Sequence, residues 1–140
     1  MITRINHIGI AVNSIEEARK LYSDVFGLKV GPTKHNERER VNLAWIPTAN
    51  VILELIEPTD PDGPLAKFLQ RRGEGLHHLL VEVTDMEETF KTLKEKEIPL
   101  VDKKPRIEAD GTKRLYIHPK GTGRVFIQAS EHAVETYHSW

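Results

Sequence analysis

The sequence predicts an α+β protein made of two pseudo-symmetric βαβββ modules. Three observations support this prediction: an internal repeat, a short apolar strand at the start of each copy, and a capped helix directly after that strand. The repeat relates HIGIAV, which begins at His7, to HLLVEV, which begins at His78, and 78 minus 7 gives an offset of 71 residues. At this offset NSIEEARKLY, from Asn13, corresponds to TDMEETFKTL, from Thr84. A repeat of this length indicates two related supersecondary units.

Each copy begins with a strand and continues into a helix. The strands are expected at residues 5–12 and 76–83, where Ile, Leu and Val predominate. Ser14 and Asp85 are good N-caps, and each precedes acidic residues that the helix dipole favours. Apolar residues then recur at helical spacing. Gly27 is expected to end the first helix.

Further strands complete each module. They are expected around 41–46 and 51–57 in the first module and around 113–117 and 124–129 in the second. Turn-forming residues separate the two strands of each pair. We therefore expect one domain with four segments: module one (1–58), a linker with the short helix PLAKFLQRR (59–74), module two (75–130) and a C-terminal tail (131–140).

The composition limits the classes of function. With 39% hydrophobic and 29% charged residues, the chain has the composition of a globular protein. It lacks both an apolar run of membrane-spanning length and the layout of a secretory signal, so we expect a cytoplasmic protein with no membrane partner. Because 20 Lys and Arg are balanced by 21 Asp and Glu, we expect a small-molecule partner and no nucleic acid.

Four residues at repeat-related positions predict a metal site. The sequence has no cysteine, so a metal would need histidine, carboxylate or amide ligands. His7 and His78 occupy the same place in the first strand of each copy, and Glu54 and Gln128 interrupt the apolar run of the last strand. Two imidazoles, a carboxylate and an amide form a plausible ligand set for a divalent cation.

Each of these residues also has a simpler interpretation. A single histidine at a strand start more often makes a hydrogen bond than binds a metal. Gln128 alone would be unremarkable, and Glu54 could face solvent, as Glu57 is expected to do. Strand alternation, however, places Glu54 on the face of Ile52 and Ile56. A carboxylate that points into an apolar interior needs a partner or a metal, which favours the metal site.

Five stretches of the chain form a recognisable set: NHIGIAV, LELIEP, PLAKFLQRRGEGLHHLLVEVTD, PRI and YIHPKGTGRVFIQ. They resemble the methylmalonyl-CoA epimerases of the vicinal oxygen chelate superfamily, which also includes glyoxalases and bleomycin-resistance proteins. The run AKFLQRRGEGLHH is specific to the epimerase branch, and the resemblance covers most of the chain. It implies a glyoxalase-like fold, with sheets that curl around a metal held by His7, Glu54, His78 and Gln128. It also implies a homodimer.

The reaction implied by the resemblance is inversion of the carbon between a carboxylate and a thioester in methylmalonyl-CoA or a related acyl-CoA. The α-proton would leave through a metal-stabilised enolate. Glu54 is the first candidate for the catalytic carboxylate, and the metal is Co, Zn, Ni, Mn or Fe. Position 43, where another family carboxylate is expected, holds Leu43. Other candidates for a second base, each more easily explained as a loop or turn residue, are Glu37, Glu39, His77 and His118.

Two positions differ from the epimerase pattern. Gln128 stands where the epimerases generally have a glutamate, and the ligand charge is preserved because they tolerate glutamine at the position of Glu54. Gly121 stands where they usually have a serine, so a hydroxyl is missing near the expected substrate mouth. Lys120 and Arg124 either bind a CoA phosphate or carboxylate or form a solvated basic face. Two alternatives stay open: a glyoxalase-type lyase or isomerase, and a non-catalytic ligand-binding module.

Overall fold

The computed structural model describes residues 1–131, and within that range the protein is α+β, as the sequence predicts. The strands are β1 (Ile2–Ala11), β2 (Lys34–Asn36), β3 (Val41–Pro47), β4 (Ile52–Pro58), β5 (Gly75–Val83), β6 (Arg106–Ile107), β7 (Lys113–Ile117) and β8 (Ile127–Glu131). The α-helices are α1 (Ile15–Arg19), α2 (Pro64–Arg72) and α3 (Met86–Glu95). The order βαβββ therefore occurs twice, which confirms the predicted repeat. Beyond Glu131, the expected C-terminal tail lies outside the described residues.

Residue contacts divide the chain into two compact units. One comprises Met1–His7 together with residues 78–131, and the other is Ile8–His77. Strand β1 therefore begins in the first of these units and continues into the second. No helix within residues 1–131 is both long enough and apolar enough to cross a membrane.

In the unit Ile8–His77, strands β2, β3 and β4 pair antiparallel in that order. Alternation along β3 and β4 gives the sheet two buried faces. One face packs on α1 through a cluster formed by Val12, Ile15, Ala44, Ile46 and Leu55. The other packs on α2 through Val41, Ile56 and Leu65. Glu54 lies on this second face because it shares the parity of Ile56.

Two side chains cap the start of α1. The Ser14 hydroxyl accepts a hydrogen bond from the Glu17 N–H (3.2 Å), as the sequence predicts. The Glu57 carboxylate accepts from the Ile15 N–H (3.0 Å) and from the Asn42 amide (3.2 Å). The expectation that Glu57 faces solvent is therefore wrong, since its charge satisfies backbone groups that a helix start leaves without partners.

The first helix ends at Gly27, as predicted, but its last part is not α-helical. After α1 the chain continues as a π-helical segment, Lys20–Val25. Gly27 then adopts φ of 71°, and its N–H donates to the Ser23 carbonyl (3.1 Å). Glycine suits this position because a left-handed backbone is strained for residues with a Cβ.

In the other unit, β5 pairs parallel with β8, β8 pairs antiparallel with β7, and β7 pairs antiparallel with β6. Helix α3, capped by the Asp85 carboxylate on the Glu88 N–H (3.0 Å), covers one face of these strands. Met86, the first residue of α3, forms a buried cluster with Val81, Val83, Leu115 and Ala129. The last strand begins at Ile127 rather than at the predicted 124, because Arg124 has φ of 71° and belongs to the preceding turn.

Candidate metal centre

The two histidines of the repeat are in contact with each other. Both side chains are buried, with 5% exposure for His7 and 6% for His78. Their Nε2 atoms lie 3.1 Å apart, and the rings meet edge to face at 82°. Two imidazoles approach so closely only when one nitrogen donates a proton to the other or when a cation binds both lone pairs. The two nitrogens can therefore share a hydrogen bond when no cation is present, and they are close enough to bind the same cation.

A polar chain extends from His7 toward the surface. The Asn6 side chain, only 1% exposed, places Oδ1 3.0 Å from His7 Nδ1. Its amide nitrogen donates to Glu82 Oε1 (3.1 Å), and Glu82 Oε2 accepts from Arg4 Nε (2.9 Å). Sequence reasoning missed Asn6 and Glu82. The available signal was Glu82 itself, which interrupts the apolar run LLVEV as Glu54 interrupts VILELIE.

The adjacent histidines at the start of β5 have different environments. His78 is buried against His7, whereas His77 is half-buried and packs edge to face on Phe68 of α2, with 4.8 Å between ring centroids. Alternation along a strand accounts for the difference, because neighbouring side chains point to opposite faces. His78 is therefore the member of the pair that lies in the candidate metal centre.

Gln128 lies on the same face of its unit as His78. It is 7% exposed and stands opposite Leu80 on β5 and Tyr116 on β7. Because Leu80 follows His78 by two residues, alternation directs Gln128 and His78 to one face, away from α3. An amide oxygen and neutral imidazoles are ligands for Zn, Co, Ni, Mn and Fe, so the residues of this unit fit a divalent cation.

Glu54 belongs to the unit Ile8–His77, in the middle of β4. It is 8% exposed, and it pairs in register with Trp45, whose Nε1–H donates to Glu54 Oε2 (2.9 Å). The sequence correctly predicts a carboxylate on the buried face of Ile52 and Ile56, but the indole donor was missed. A buried carboxylate needs such a donor to offset its lost hydration.

Each remaining candidate for a second base has a place in the structure that does not require a catalytic role. Leu43 packs on the cluster of Val41, Ile56 and Leu65, so an apolar side chain fits the place where a family carboxylate is expected. His118 Nδ1 accepts from the Lys120 N–H (3.1 Å) and caps a short 3-10 turn. His77 lies in strand β5 and packs on Phe68, so its interpretation as a loop or turn residue is wrong. Glu37 and Glu39 lie in the turn between β2 and β3.

The turn that contains Gly121 is closely packed. A Cβ at this position would lie 2.8 Å from Ile98 Cγ2 and 3.0 Å from Pro99 Cδ. The glycine therefore permits the turn to approach Ile98 and Pro99, which gives a local reason for the missing serine. Lys120 and Arg124, on either side, are exposed.

Comparisons with known proteins agree with the resemblance seen in the sequence. The family model of the Glyoxalase/Bleomycin resistance protein/Dioxygenase superfamily matches residues 6–116. The chain is 38% identical over 130 residues to the uncharacterized protein YqjC of Bacillus subtilis (strain 168), covering 93% of each chain. It is 34% identical over 133 residues to the ethylmalonyl-CoA/methylmalonyl-CoA epimerase of Cereibacter sphaeroides, covering 94% of this chain and 99% of that one.

A solved structure extends the comparison to the fold. A variant of the Streptomyces coelicolor methylmalonyl-CoA epimerase in complex with 2-nitronate-propionyl-CoA superposes with a TM-score of 0.82 at 28% identity. The match covers 96% of this chain and 100% of that one. Together with the family model and the relatives, this shows that the chain belongs to the methylmalonyl-CoA epimerases of the glyoxalase/bleomycin resistance superfamily.

Proposed function

We propose that the protein is a metal-dependent epimerase that inverts the α-carbon of methylmalonyl-CoA or a related acyl-CoA. The observation that carries the proposal is the pair of buried imidazoles, with Nε2 atoms 3.1 Å apart, in a chain of the epimerase family. The relative from Cereibacter sphaeroides is named for both ethylmalonyl-CoA and methylmalonyl-CoA. The substrate class is therefore an acyl-CoA with a carboxylate on the α-carbon.

The proposed ligands are His7, Glu54, His78 and Gln128, and the proposed metal is Co, Zn, Ni, Mn or Fe. All four side chains are buried, which supports the set because buried polar groups need partners. When bound, the cation supplies positive charge that stabilises the negative charge developing on the thioester oxygen as the α-proton leaves. The net charge of the four side chains is −1, from Glu54.

The proposed base is Glu54. Among the residues of β3 and β4, the carboxylates are Glu54 and Glu57, and Glu57 is used on the opposite face to cap α1. The amide of Gln128 cannot accept a proton near neutral pH, so it can bind a cation but not act as a base. The Trp45 indole orients the Glu54 carboxylate by donating to Oε2, and burial keeps bulk water from it.

The experiment is deuterium exchange into the α-carbon of methylmalonyl-CoA at saturating metal. Wild type should exchange. Glu54→Gln should lower the rate by about a hundredfold or more, since a positioned general base typically contributes that much. Gln128→Glu should change the rate modestly, because the base is retained. His35→Gln is the matched control, since His35 is exposed on β2 and is neither a proposed ligand nor a candidate base; its rate should equal that of wild type.

One result would overturn the assignment. If wild type exchanges no faster than the no-enzyme control while Gln128→Glu exchanges strongly, the glutamine marks a lost base. The protein would then have a related activity, such as that of a glyoxalase-type enzyme, or a binding role.

We also propose a homodimer, on the basis of the family resemblance. Light scattering at micromolar concentration should give twice the chain mass of 16.0 kDa. A monomer mass would contradict the proposal. The cytoplasmic location expected from the sequence stays a prediction.

A further inference from the structure

We propose that Asn6 and Glu82 are positioning residues that set the tautomer of His7, so that its Nε2 presents a lone pair to the metal. The proposal rests on the proposed metal site and not on the identity of the substrate. It concerns the hydrogen bonds behind His7, all of which lie within one compact unit.

Glu82 fixes the orientation of the Asn6 amide. Both ends of this buried side chain are engaged, one 3.0 Å from His7 Nδ1 and the other 3.1 Å from Glu82 Oε1. An ionised carboxylate only accepts hydrogen bonds, so the NH₂ end of Asn6 must face Glu82. The opposite orientation would place the amide carbonyl against a carboxylate oxygen. Glu82 therefore decides which end of Asn6 faces His7.

The orientation of the Asn6 amide in turn determines which nitrogen of His7 carries the proton. Because Asn6 presents a carbonyl oxygen, His7 Nδ1 must be the donor in this bond. A neutral imidazole carries one N–H, so the lone pair of His7 is then on Nε2. This is the nitrogen that lies 3.1 Å from His78 Nε2. Histidines that bind metals commonly donate their other ring N–H to such an acceptor, which fixes the tautomer and the ring orientation.

The three side chains behind His7 differ in exposure. Asn6 is 1% exposed, and the Glu82 side chain is 18% exposed. The Arg4 side chain is 61% exposed, and an ion pair at such a position contributes little. Substitution of Asn6 should therefore have the largest effect, substitution of Glu82 an intermediate effect, and Arg4→Gln almost none. Arg4→Gln is thus a control within the same chain of contacts.

The test has two readouts: one is made on the metal-free protein, and the other measures metal binding. The first is ¹⁵N–¹H correlation of the histidine side chains at mildly alkaline pH, which reports the tautomer of His7. The second is titration with Zn²⁺ and with Co²⁺. Wild type should show the Nδ1–H tautomer. Asn6→Leu, which removes the acceptor, should show a mixture and bind both metals about tenfold to a hundredfold more weakly. Asn6→Asp combined with Glu82→Gln keeps an acceptor for Nδ1 and avoids two facing carboxylates, so it should retain the tautomer.

Glu82→Gln is a second variant that tests the proposal if Asn6→Leu does not fold. A glutamine at position 82 can donate as well as accept, so it no longer fixes the Asn6 amide, and the His7 tautomer should become mixed. Folded Asn6→Leu and Glu82→Gln variants with the wild-type tautomer and metal affinity would overturn the proposal. These readouts do not need turnover: a wild type that binds metal as described but exchanges no α-proton would refute the proposed function alone.

Discussion

Gly121→Ser should destabilise the protein, although serine is the residue that the epimerase pattern usually has there. The new Cβ would lie 2.8 Å from Ile98 Cγ2 and 3.0 Å from Pro99 Cδ. Neither atom is the end of a flexible side chain, because Ile98 is branched at Cβ and the Pro99 ring is rigid. The turn is also tied down, since the His118 N–H donates to the Pro99 carbonyl (3.0 Å). Overpacking of this kind costs about 1–3 kcal/mol.

Thermal unfolding measures the effect. In a protein of this size, 1 kcal/mol changes Tm by about 3–5 °C, so Gly121→Ser should lower Tm by about 3–15 °C. Gly121→Ala adds the same Cβ without the hydroxyl and should lose a similar amount. Ile98→Leu removes the Cγ2 methyl, so its combination with Gly121→Ala should recover part of the loss.

A Gly121→Ser variant that melts at the wild-type temperature would contradict the close packing around Gly121. Destabilisation by serine but not by alanine would also contradict it, because the cause would then be the hydroxyl rather than the Cβ.

Three further predictions concern a hydrogen bond, a pH dependence and metal removal. Trp45→Phe should lower the free energy of unfolding in urea by about 1.5–3 kcal/mol, because the buried Glu54 carboxylate loses the indole donor. Hydrogen bonds from the Asp62 N–H and the Arg40 guanidinium lower the pKa of Asp60 from its ordinary value of 3.8, so their stabilisation is present above that value and is lost as pH falls through the lowered pKa. In acid titrations followed by circular dichroism, Asp60→Asn should therefore lose less stability than wild type below pH 3.8. Removal of a metal present at about a hundred times its Kd should lower the free energy of unfolding by about 2.7 kcal/mol, measured by denaturation with and without chelator.

Much of the fold could be predicted because its determinants are local. The N-caps Ser14 and Asp85 and the left-handed Gly27 act through their own neighbours in the chain, and each has the predicted role. The repeat made these signals stronger, since one offset related both strand and helix. The epimerase family, first indicated by short motifs, is confirmed by the family model and by the relatives.

Other features could not be predicted because they depend on contacts between distant residues. Glu57 caps α1 across 42 residues of chain, so its own strand pattern could not distinguish this role from exposure. The amide of Asn6 meets Glu82 over a separation of 76 residues. The π-helical segment Lys20–Val25 could not be predicted, because the spacing of its apolar residues also fits an α-helix. The ligand set and the base stay predictions.

Metal-dependent epimerisation is tested by deuterium incorporation at the α-carbon of methylmalonyl-CoA by the wild-type protein, before and after metal removal. We expect exchange by the metal-loaded protein, loss of exchange on treatment with a chelator, and recovery when a divalent cation is restored. Exchange that is the same with and without metal would contradict metal-dependent epimerisation. Absence of exchange from the fully loaded protein would contradict epimerisation itself.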